Sequence, residues 1–167
     1  LEELHTGSLC VPPFQREFEW TGEQRLALFN SIWRGLPTGS LMVWRTARVL
    51  AAEDPLGPYK LDPTETPTQY LLDGRQRMTA LYAALAASFW SKTGKPVPDT
   101  ERDAPDGTPW DVLFNLELQE FELDYPVKSD PQLSLPHEPA SQSTPKLALR
   151  VLLDDAAFDE WREATKL

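Results

Sequence analysis

The sequence predicts an α+β fold in which a small mixed sheet is flanked by helices and connected by long proline-rich loops. Two segments, 23–35 and 74–90, carry apolar residues at the spacing of a helix with one buried face. Short apolar runs bounded by turn residues indicate strands at 40–45, 69–72, 112–116 and 121–123. The segments between them that are rich in proline and polar residues indicate loops at 51–68, 91–110 and 126–146.

The N-terminal third is expected to contain an extended segment, a helix and a strand. Pro12 and Pro13 favour extended backbone over residues 11–14. Thr21 is a suitable N-cap for the first helix, and the glycine of Gly35-Leu36-Pro37 is a typical stop signal. The predicted buried face of this helix consists of Leu26, Phe29 and Trp33, with Leu28 and Ile32 beside them.

The strand at 69–72 leads directly into the second predicted helix. Asp73 is expected to cap this helix, and Gln76 has the position of the glutamine in a capping box. The apolar face of the helix is Met78, Leu81, Tyr82, Leu85 and Phe89. The runs at 112–116 and 121–123 are expected to form a hairpin, and a last helix is expected over 154–165.

Length and composition favour one globular domain. The chain has 167 residues, of which 41% are hydrophobic, so we predict a single domain over 1–167. It begins at Leu1 rather than at methionine, and we therefore expect a fragment of a longer protein. We expect no membrane insertion, because no apolar run approaches the roughly 20 residues that span a bilayer. The single Cys10 cannot form an internal disulfide, which is typical of the reducing cytoplasm.

The charge distribution disfavours general binding of nucleic acid. The net charge is −10, and residues 81–167 carry sixteen acidic side chains against eight basic ones. Neutralisation of phosphates supplies most non-specific affinity for DNA, so an acidic domain binds it poorly over its whole surface. A local pocket lined by arginines is compatible with this distribution, because seven of the ten arginines lie at or before Arg77.

The segment Asp73-Gly74-Arg75-Gln76-Arg77 is the strongest candidate site. It lies where a strand, a tight turn and a helix N-terminus meet. Helix N-termini present unpaired N–H groups and the positive end of the helix dipole, and guanidinium groups bind phosphate oxygens in pairs. The pattern therefore favours a phosphorylated ligand. The competing interpretation is a solvated helix start, with Asp73 as an ordinary cap and both arginines at the surface.

Two further segments contain candidate residues. Gln15 and Arg16 form a polar pair among aromatic residues that are expected to anchor this segment to the core: Phe14, Phe18 and Trp20. Gly39, between the first helix and the following strand, can admit a phosphate close to the backbone. An anchored N-terminal segment and a plain loop are the alternatives. The two histidines are isolated and there is one cysteine, so no zinc-ligand spacing is present.

Three segments taken together resemble one known family. They are 11–20, 35–41 and 72–81, and they follow the family's order. The chain is similar to the N-terminal domain of GmrSD-type, modification-dependent restriction proteins. It is also similar to the corresponding domain of proteins that sense phosphorothioated DNA in bacterial antiphage defence. The similarity is closest over residues 4–90.

The resemblance implies a ParB/sulfiredoxin-like fold with an Asp-Gly-Gln-Gln-Arg motif in a nucleotide-binding and hydrolysis site. Matched position by position, the motif falls on residues 73–77, and Arg75 stands where the family usually has glutamine. The implied catalytic residues are Asp73, Gln76 and Arg77. The implied nucleotide-binding residues are Gln15, Arg16, Gly39, Gly74 and Arg75.

The first hypothesis is a module that binds and hydrolyses a nucleoside triphosphate, with Mg²⁺ held partly by Asp73, and regulates an attached or separate nuclease domain. In that case the full-length protein would make the contact with modified DNA. Two alternatives stay open. One is a non-catalytic module that senses modified DNA or a partner subunit, and the other is a ParB-fold domain that itself nicks DNA.

Overall fold

A computed structural model describes residues 1–50, 56–59, 69–86, 103–124 and 144–165, and it confirms the mixed α+β class with small sheets and helices. Most of the three predicted loops lies outside these ranges. None of the described helices is long and apolar enough to cross a membrane. The helices are α1 (Glu2–His5), α2 (Gly22–Trp33), α3 (Arg75–Leu85) and α4 (Asp155–Thr165). The strands are β1 (Leu9–Cys10), β2 (Met42–Arg45), β3 (Gln69–Asp73), β4 (Val112–Asn115), β5 (Glu120–Leu123) and β6 (Lys146–Ala148).

The first sheet has the order β1-β3-β2, and β3 lies in its centre. β1 runs parallel to β3, with Leu9 beside Gln69, whereas β2 is antiparallel to it. Tyr70 and Leu71 of β3 are fully buried, but all four residues of the edge strand β2 are exposed. β3 therefore leads from the core to the turn that carries the candidate motif.

The second sheet is antiparallel, with the order β5-β4-β6. The predicted hairpin between β4 and β5 is confirmed. β6 is not predicted from the sequence: the expected loop over 126–146 ends at Lys146, and residues 147–148 belong to no expected element. β6 is three residues long and pairs with Leu113–Asn115, so the distant strand β4 supplies the partner that stabilises it.

The boundaries of α2 follow from its capping residues, as predicted. The Thr21 side chain accepts a hydrogen bond from the Gln24 N–H, and the Gln24 side chain accepts one from the Thr21 N–H. At the other end, Gly35 adopts a φ of 66°. The N–H groups of Gly35 and Leu36 donate to the carbonyls of Ile32 and Ser31, which together form a Schellman motif.

The predicted buried face of α2 is partly wrong. Leu28 and Phe29 are buried, but Ile32 and Trp33 are exposed, and Arg25 is 1% exposed. Arg25 is buried because the segment 108–110 surrounds it. Its guanidinium donates to the Thr108 hydroxyl and to the Trp110 carbonyl, and it lies 5.0 Å from the centre of the Trp110 ring.

Helix α3 packs between the two sheets, and this packing fixes its N-terminus against the core. Met78 and Tyr82 join the cluster beneath the first sheet, and Ala84 joins the cluster beneath the second. Its alanines allow close approach, since Ala80, Ala83 and Ala84 are all buried. The predicted extension of this helix to residue 90, including Phe89, lies outside the described residues.

Tyr59 gives a prediction about stability at high pH. It is 2% exposed, and burial, together with the charge of Asp111, raises the pKa of Tyr59 to about 12, whereas Arg150 acts in the opposite direction. An unfolded tyrosine ionises near pH 10, so the stabilisation is complete below that pH and is lost as the pH rises towards 12. We expect the free energy of unfolding to fall by about 2–3 kcal/mol over this range.

Urea unfolding at stepped pH measures this loss of stability. Tyr59→Phe removes the titrating hydroxyl and should show a correspondingly smaller fall in the free energy of unfolding. An equal fall in both proteins would contradict the assignment to Tyr59.

Candidate functional site

The candidate residues from two separate segments line one cavity of about 210 Å³. Residues 15, 16 and 20 come from the segment before α2, and residues 73–77 come from the turn between β3 and α3. Of the eight predicted site residues, seven line the cavity: Gln15, Arg16, Asp73, Gly74, Arg75, Gln76 and Arg77. Gly39 does not line it but adjoins Arg77. Sequence reasoning missed Trp20 as a lining residue, although its place in the Phe-Gln-Arg segment was a usable signal.

Gly74 shapes the turn at which the cavity opens. It is the N-cap of α3 and has a φ of 100°, a left-handed conformation that favours glycine. A Cβ atom at Gly74 would collide with the Leu41 side chain and would lie 3.3 Å from Nη2 of Arg77. Position 74 therefore requires glycine, both because of its positive φ and because a side chain there would collide with Leu41.

The predicted capping roles of Asp73 and Gln76 are wrong. Gly74, which has no side chain, occupies the N-cap position of α3, and Asp73 lies one residue further from the helix. The Asp73 carboxylate instead accepts a hydrogen bond from Nη2 of Arg77 at 3.2 Å. Gln76 turns towards the other segment: its amide donates to the Glu17 carbonyl at 2.7 Å and accepts from the Glu19 N–H at 2.9 Å.

Arg77 connects the motif to the loop before β2. Its Nη1 donates to the Thr38 carbonyl at 2.8 Å, and its Nη2 donates to the Ser40 carbonyl at 2.7 Å. A Cβ atom at Gly39, between these two residues, would lie 2.6 Å from Nη1 of Arg77. Gly39 thus allows the guanidinium to approach this loop closely, and the Asp73 carboxylate balances its charge on the other side.

Arg75 and Gln15 hold the segment before α2 against the motif. Arg75 is 5% exposed, and its Nη1 donates to the carbonyls of Gln15 and Arg16 at 2.9 and 2.7 Å. Gln15 in turn donates to the carbonyls of Leu71 and Leu72, at 3.0 and 2.7 Å. These bonds join the segment to both β3 and the first turn of α3.

The predicted extended segment 11–14 ends in a turn at Pro13 and Phe14, and Phe14 is not an anchor. The Gln15 N–H donates to the Pro12 carbonyl at 3.2 Å, with Pro13 at a position of the turn that proline favours. Phe14 is 68% exposed, whereas Phe18 is buried in the core as expected. The turn directs Gln15 back towards β3, which explains its two bonds to that strand.

Arginines outnumber carboxylates among the residues that line the cavity, by three to one. Arg16 has an exposed guanidinium whose nearest described carboxylate partner is Glu19, at 3.8 Å. The first turn of α3 carries arginines and no acidic residue. Its first intrahelical hydrogen bond runs from Met78 N–H to Gly74 C=O, so the N–H groups of Gln76 and Arg77 precede it. Such an arrangement is suited to an anion.

The described residues do not form a ready-made metal centre. No group of three or more His, Cys, Asp or Glu side chains in the described ranges could hold a metal ion. Asp73 contributes a largely exposed carboxylate to the cavity, with one oxygen bonded to Arg77. A hard cation that takes one carboxylate and completes its shell with water and phosphate oxygens fits this donor set.

A larger cavity, of about 700 Å³, lies between the start of α2 and β5 but does not include the motif. Asp106 accepts hydrogen bonds there from Gly22 N–H and from the hydroxyl and N–H of Thr108. Burial alone would raise the pKa of Asp106, but these bonds and the charge of Arg25 hold it below its usual range. Gly22, Asp106 and Thr108 are bound to one another here, and no predicted site residue lines this cavity, so we assign the candidate site to the smaller one.

Comparison with known proteins gives one match. Residues 1–159 match the family model described as "GmrSD restriction endonuclease, N-terminal domain". No curated protein and no solved structure matches the chain.

Proposed function

The chain belongs to the family of GmrSD restriction endonuclease N-terminal domains, and we propose that within this restriction and antiphage defence module it binds and hydrolyses a nucleoside triphosphate. The family establishes a role in a restriction system. The nucleotide chemistry is the proposed step, and the convergence of two sequence-distant segments on one arginine-lined cavity supports it most directly.

Arg16 and the start of α3 are the proposed phosphate contacts. The Arg16 guanidinium is exposed at the cavity, and the N–H groups of the first turn carry the positive end of the helix dipole. Phosphoryl transfer depends chiefly on positioning and charge stabilisation, which guanidinium and N–H groups supply. In this proposal Asp73 would hold Mg²⁺ together with the nucleotide phosphates, and the chemistry the ion would supply there is neutralisation of their charge.

The other motif residues are proposed to position these groups. Arg75, Gln76 and Gln15 hold the segment that carries Arg16, and Arg77 holds the loop at Gly39 beside Asp73. The predicted catalytic roles of Asp73, Gln76 and Arg77 stay predictions. The amide of Gln76 is engaged by backbone groups, so turnover would require it to act through segment 17–19 or to exchange partners.

The proposal extends to fold and context. A ParB/sulfiredoxin-like fold, formed as a single domain over 1–167, is supported by the unit in which β3 leads through Gly74 into α3 at the ligand cavity. The proposed partners are a nucleoside triphosphate, an attached or separate nuclease domain, and modified DNA through the full-length protein. The proposed place of action is the cytoplasm, because restriction acts on DNA that has entered the cell.

Calorimetry of the purified chain with ATP, GTP, CTP and UTP in the presence of Mg²⁺ tests the proposal. We expect at least one nucleotide to bind, and Arg16→Ala to weaken it. Arg162→Ala, on α4 outside the cavity, is the control that should bind like the unchanged protein. Phosphate release then tests hydrolysis, which Asp73→Asn should slow. No binding of any of the four nucleotides would contradict the proposal.

The two glycines that flank the loop before β2 provide a matched pair of variants. Both have positive φ, 66° at Gly35 and 88° at Gly39. A Cβ atom at Gly35 meets nothing within 4 Å, whereas one at Gly39 meets Nη1 of Arg77. We expect Gly35→Ala to lose about 1 kcal/mol of stability from backbone strain, and Gly39→Ala to lose more, because its Cβ also displaces Arg77 from its bonds to this loop. Only Gly39→Ala should also weaken nucleotide binding, by displacing Arg77.

Urea unfolding and nucleotide titration of both variants check this expectation. Equal nucleotide affinity in Gly35→Ala and Gly39→Ala would show that the contact between Gly39 and Arg77 has no part in binding.

The alternative of a non-catalytic sensing module has one observation in its favour. Arg75, Gln76 and Arg77 already make hydrogen bonds to backbone groups of neighbouring loops, which is an arrangement that fixes shape. A salt-dependent affinity for DNA that nucleotide does not change, without phosphate release, would favour this alternative. Metal-dependent nicking by the isolated chain, abolished in Arg77→Ala, would favour the nicking alternative.

A further inference from the structure

One segment of this acidic chain carries basic residues and no acidic ones. Residues 24–52 contain four arginines and no aspartate or glutamate, although the whole chain has a net charge of −10. Arg25 is buried, but the other three, Arg34, Arg45 and Arg48, are exposed. Within the part of the chain that the structure describes, none of these three is paired with a carboxylate. We call residues 32–49 the basic surface segment.

The basic surface segment is also exposed along almost its whole length. It includes the last turn of α2, the loop to β2, the edge strand β2 and the residues after it. Trp33 and Trp44 are 55% and 39% exposed, and all four residues of β2 are exposed. An edge strand with exposed apolar side chains is unusual without a partner, because its unpaired backbone groups and apolar area are available to another molecule.

We infer that the basic surface segment contacts the phosphate backbone of DNA. Three exposed arginines that pair with no carboxylate of the described residues are complementary to a polyanion, and exposed tryptophans can stack on bases of an unpaired strand. Membership of a restriction family makes DNA the polyanion that this charge pattern fits. The inference goes beyond the proposed nucleotide site and depends on different residues.

The position of the segment places DNA beside the nucleotide cavity. Arg77 of the cavity binds the carbonyls of Thr38 and Ser40, which belong to the segment, and Met42 pairs with Asp73 in the sheet. From Met42, β2 runs about 10 Å to Arg45, the length of about three base pairs along one DNA strand. DNA on the segment would therefore reach the same turn that the motif forms.

The test is the salt dependence of DNA binding by the triple variant Arg34→Gln/Arg45→Gln/Arg48→Gln. Fluorescence anisotropy with a 20-base-pair duplex and a 20-nucleotide single strand measures affinity across a salt series. If each arginine neutralises one phosphate, the slope of log K against log salt falls by about one per arginine. We expect an affinity loss of at least about tenfold at low salt.

Single variants and a matched control keep the result interpretable. Arg162→Gln removes the same charge from an exposed arginine on α4, and it should leave the slope unchanged. If thermal unfolding shows that the triple variant is destabilised, the three single variants decide, each expected to lower the slope by about one. Nucleotide affinity of the triple variant should equal that of the unchanged protein, because no substituted residue lines the cavity.

An unchanged slope in all variants overturns the inference and leaves an acidic protein as the partner to be tested. Absence of DNA binding by the unchanged protein overturns it as well. If the unchanged protein binds DNA but no nucleotide, and the triple variant loses DNA affinity, this inference is supported and the proposed function is contradicted. The two failures are therefore distinguishable.

Discussion

Replacing Arg77 with alanine is expected to weaken nucleotide binding by at least about 30-fold and to lower the free energy of unfolding by about 2–3 kcal/mol. One guanidinium makes three contacts: the carbonyls of Thr38 and Ser40, and the Asp73 carboxylate. Its side chain is only 16% exposed, so solvent replaces these contacts poorly. Losing them releases the loop before β2 and leaves Asp73 without its ion pair.

Arg77→Lys distinguishes the contribution of the positive charge from that of the planar guanidinium group. Lysine keeps the positive charge beside Asp73 but lacks the planar group that donates to two carbonyls at once. Relative to Arg77→Ala, we expect Arg77→Lys to recover part of the lost stability and a smaller part of the lost nucleotide affinity. Urea unfolding and calorimetry with the nucleotide that binds best measure both quantities, and Arg162→Ala serves as the control. Full affinity in Arg77→Ala would exclude Arg77 from the proposed site.

The parts of the fold that depend on short-range chemistry were predictable. The capping box at Thr21 and the glycine stop at Gly35 are encoded within a few residues, and both are confirmed. The burial of Arg25 was not predictable from helical periodicity, because it depends on Thr108 and Trp110, more than 80 residues away. The strand β6 was missed for the same reason, since only pairing with β4 stabilises it.

The candidate site was predictable as a set of residues but not as a set of bonds. The resemblance indicated residues in three segments; those of two segments line one cavity, whereas Gly39 adjoins it through Arg77. Local reasoning assigned Asp73 and Gln76 to helix capping, which was wrong because Gly74 occupies the N-cap. The bonds that Arg75 and Arg77 make span 37 to 60 residues, apart from the pair with Asp73, so no local pattern could have indicated them.

Arg75 is the residue at which this chain departs from the glutamine expected from the resemblance, and it gives the second large prediction. We expect Arg75→Ala to lower the free energy of unfolding by about 2–4 kcal/mol. The variant removes a buried charged donor and leaves the carbonyls of Gln15 and Arg16 without it. Since those residues carry the proposed phosphate contact, nucleotide affinity should fall as well.

Arg75→Gln tests whether this role is positioning. Glutamine offers an amide donor to the same carbonyls but has a shorter side chain and no charge, so we expect about half of the stability loss seen with alanine. If Arg75 only positions the segment at residues 15–16, affinity should follow stability across the alanine and glutamine variants. The salt dependence of nucleotide binding should also match that of the unchanged protein, because no charge at the phosphates is lost. A weaker salt dependence in both variants, with little loss of stability, would instead assign the Arg75 guanidinium to the phosphates themselves.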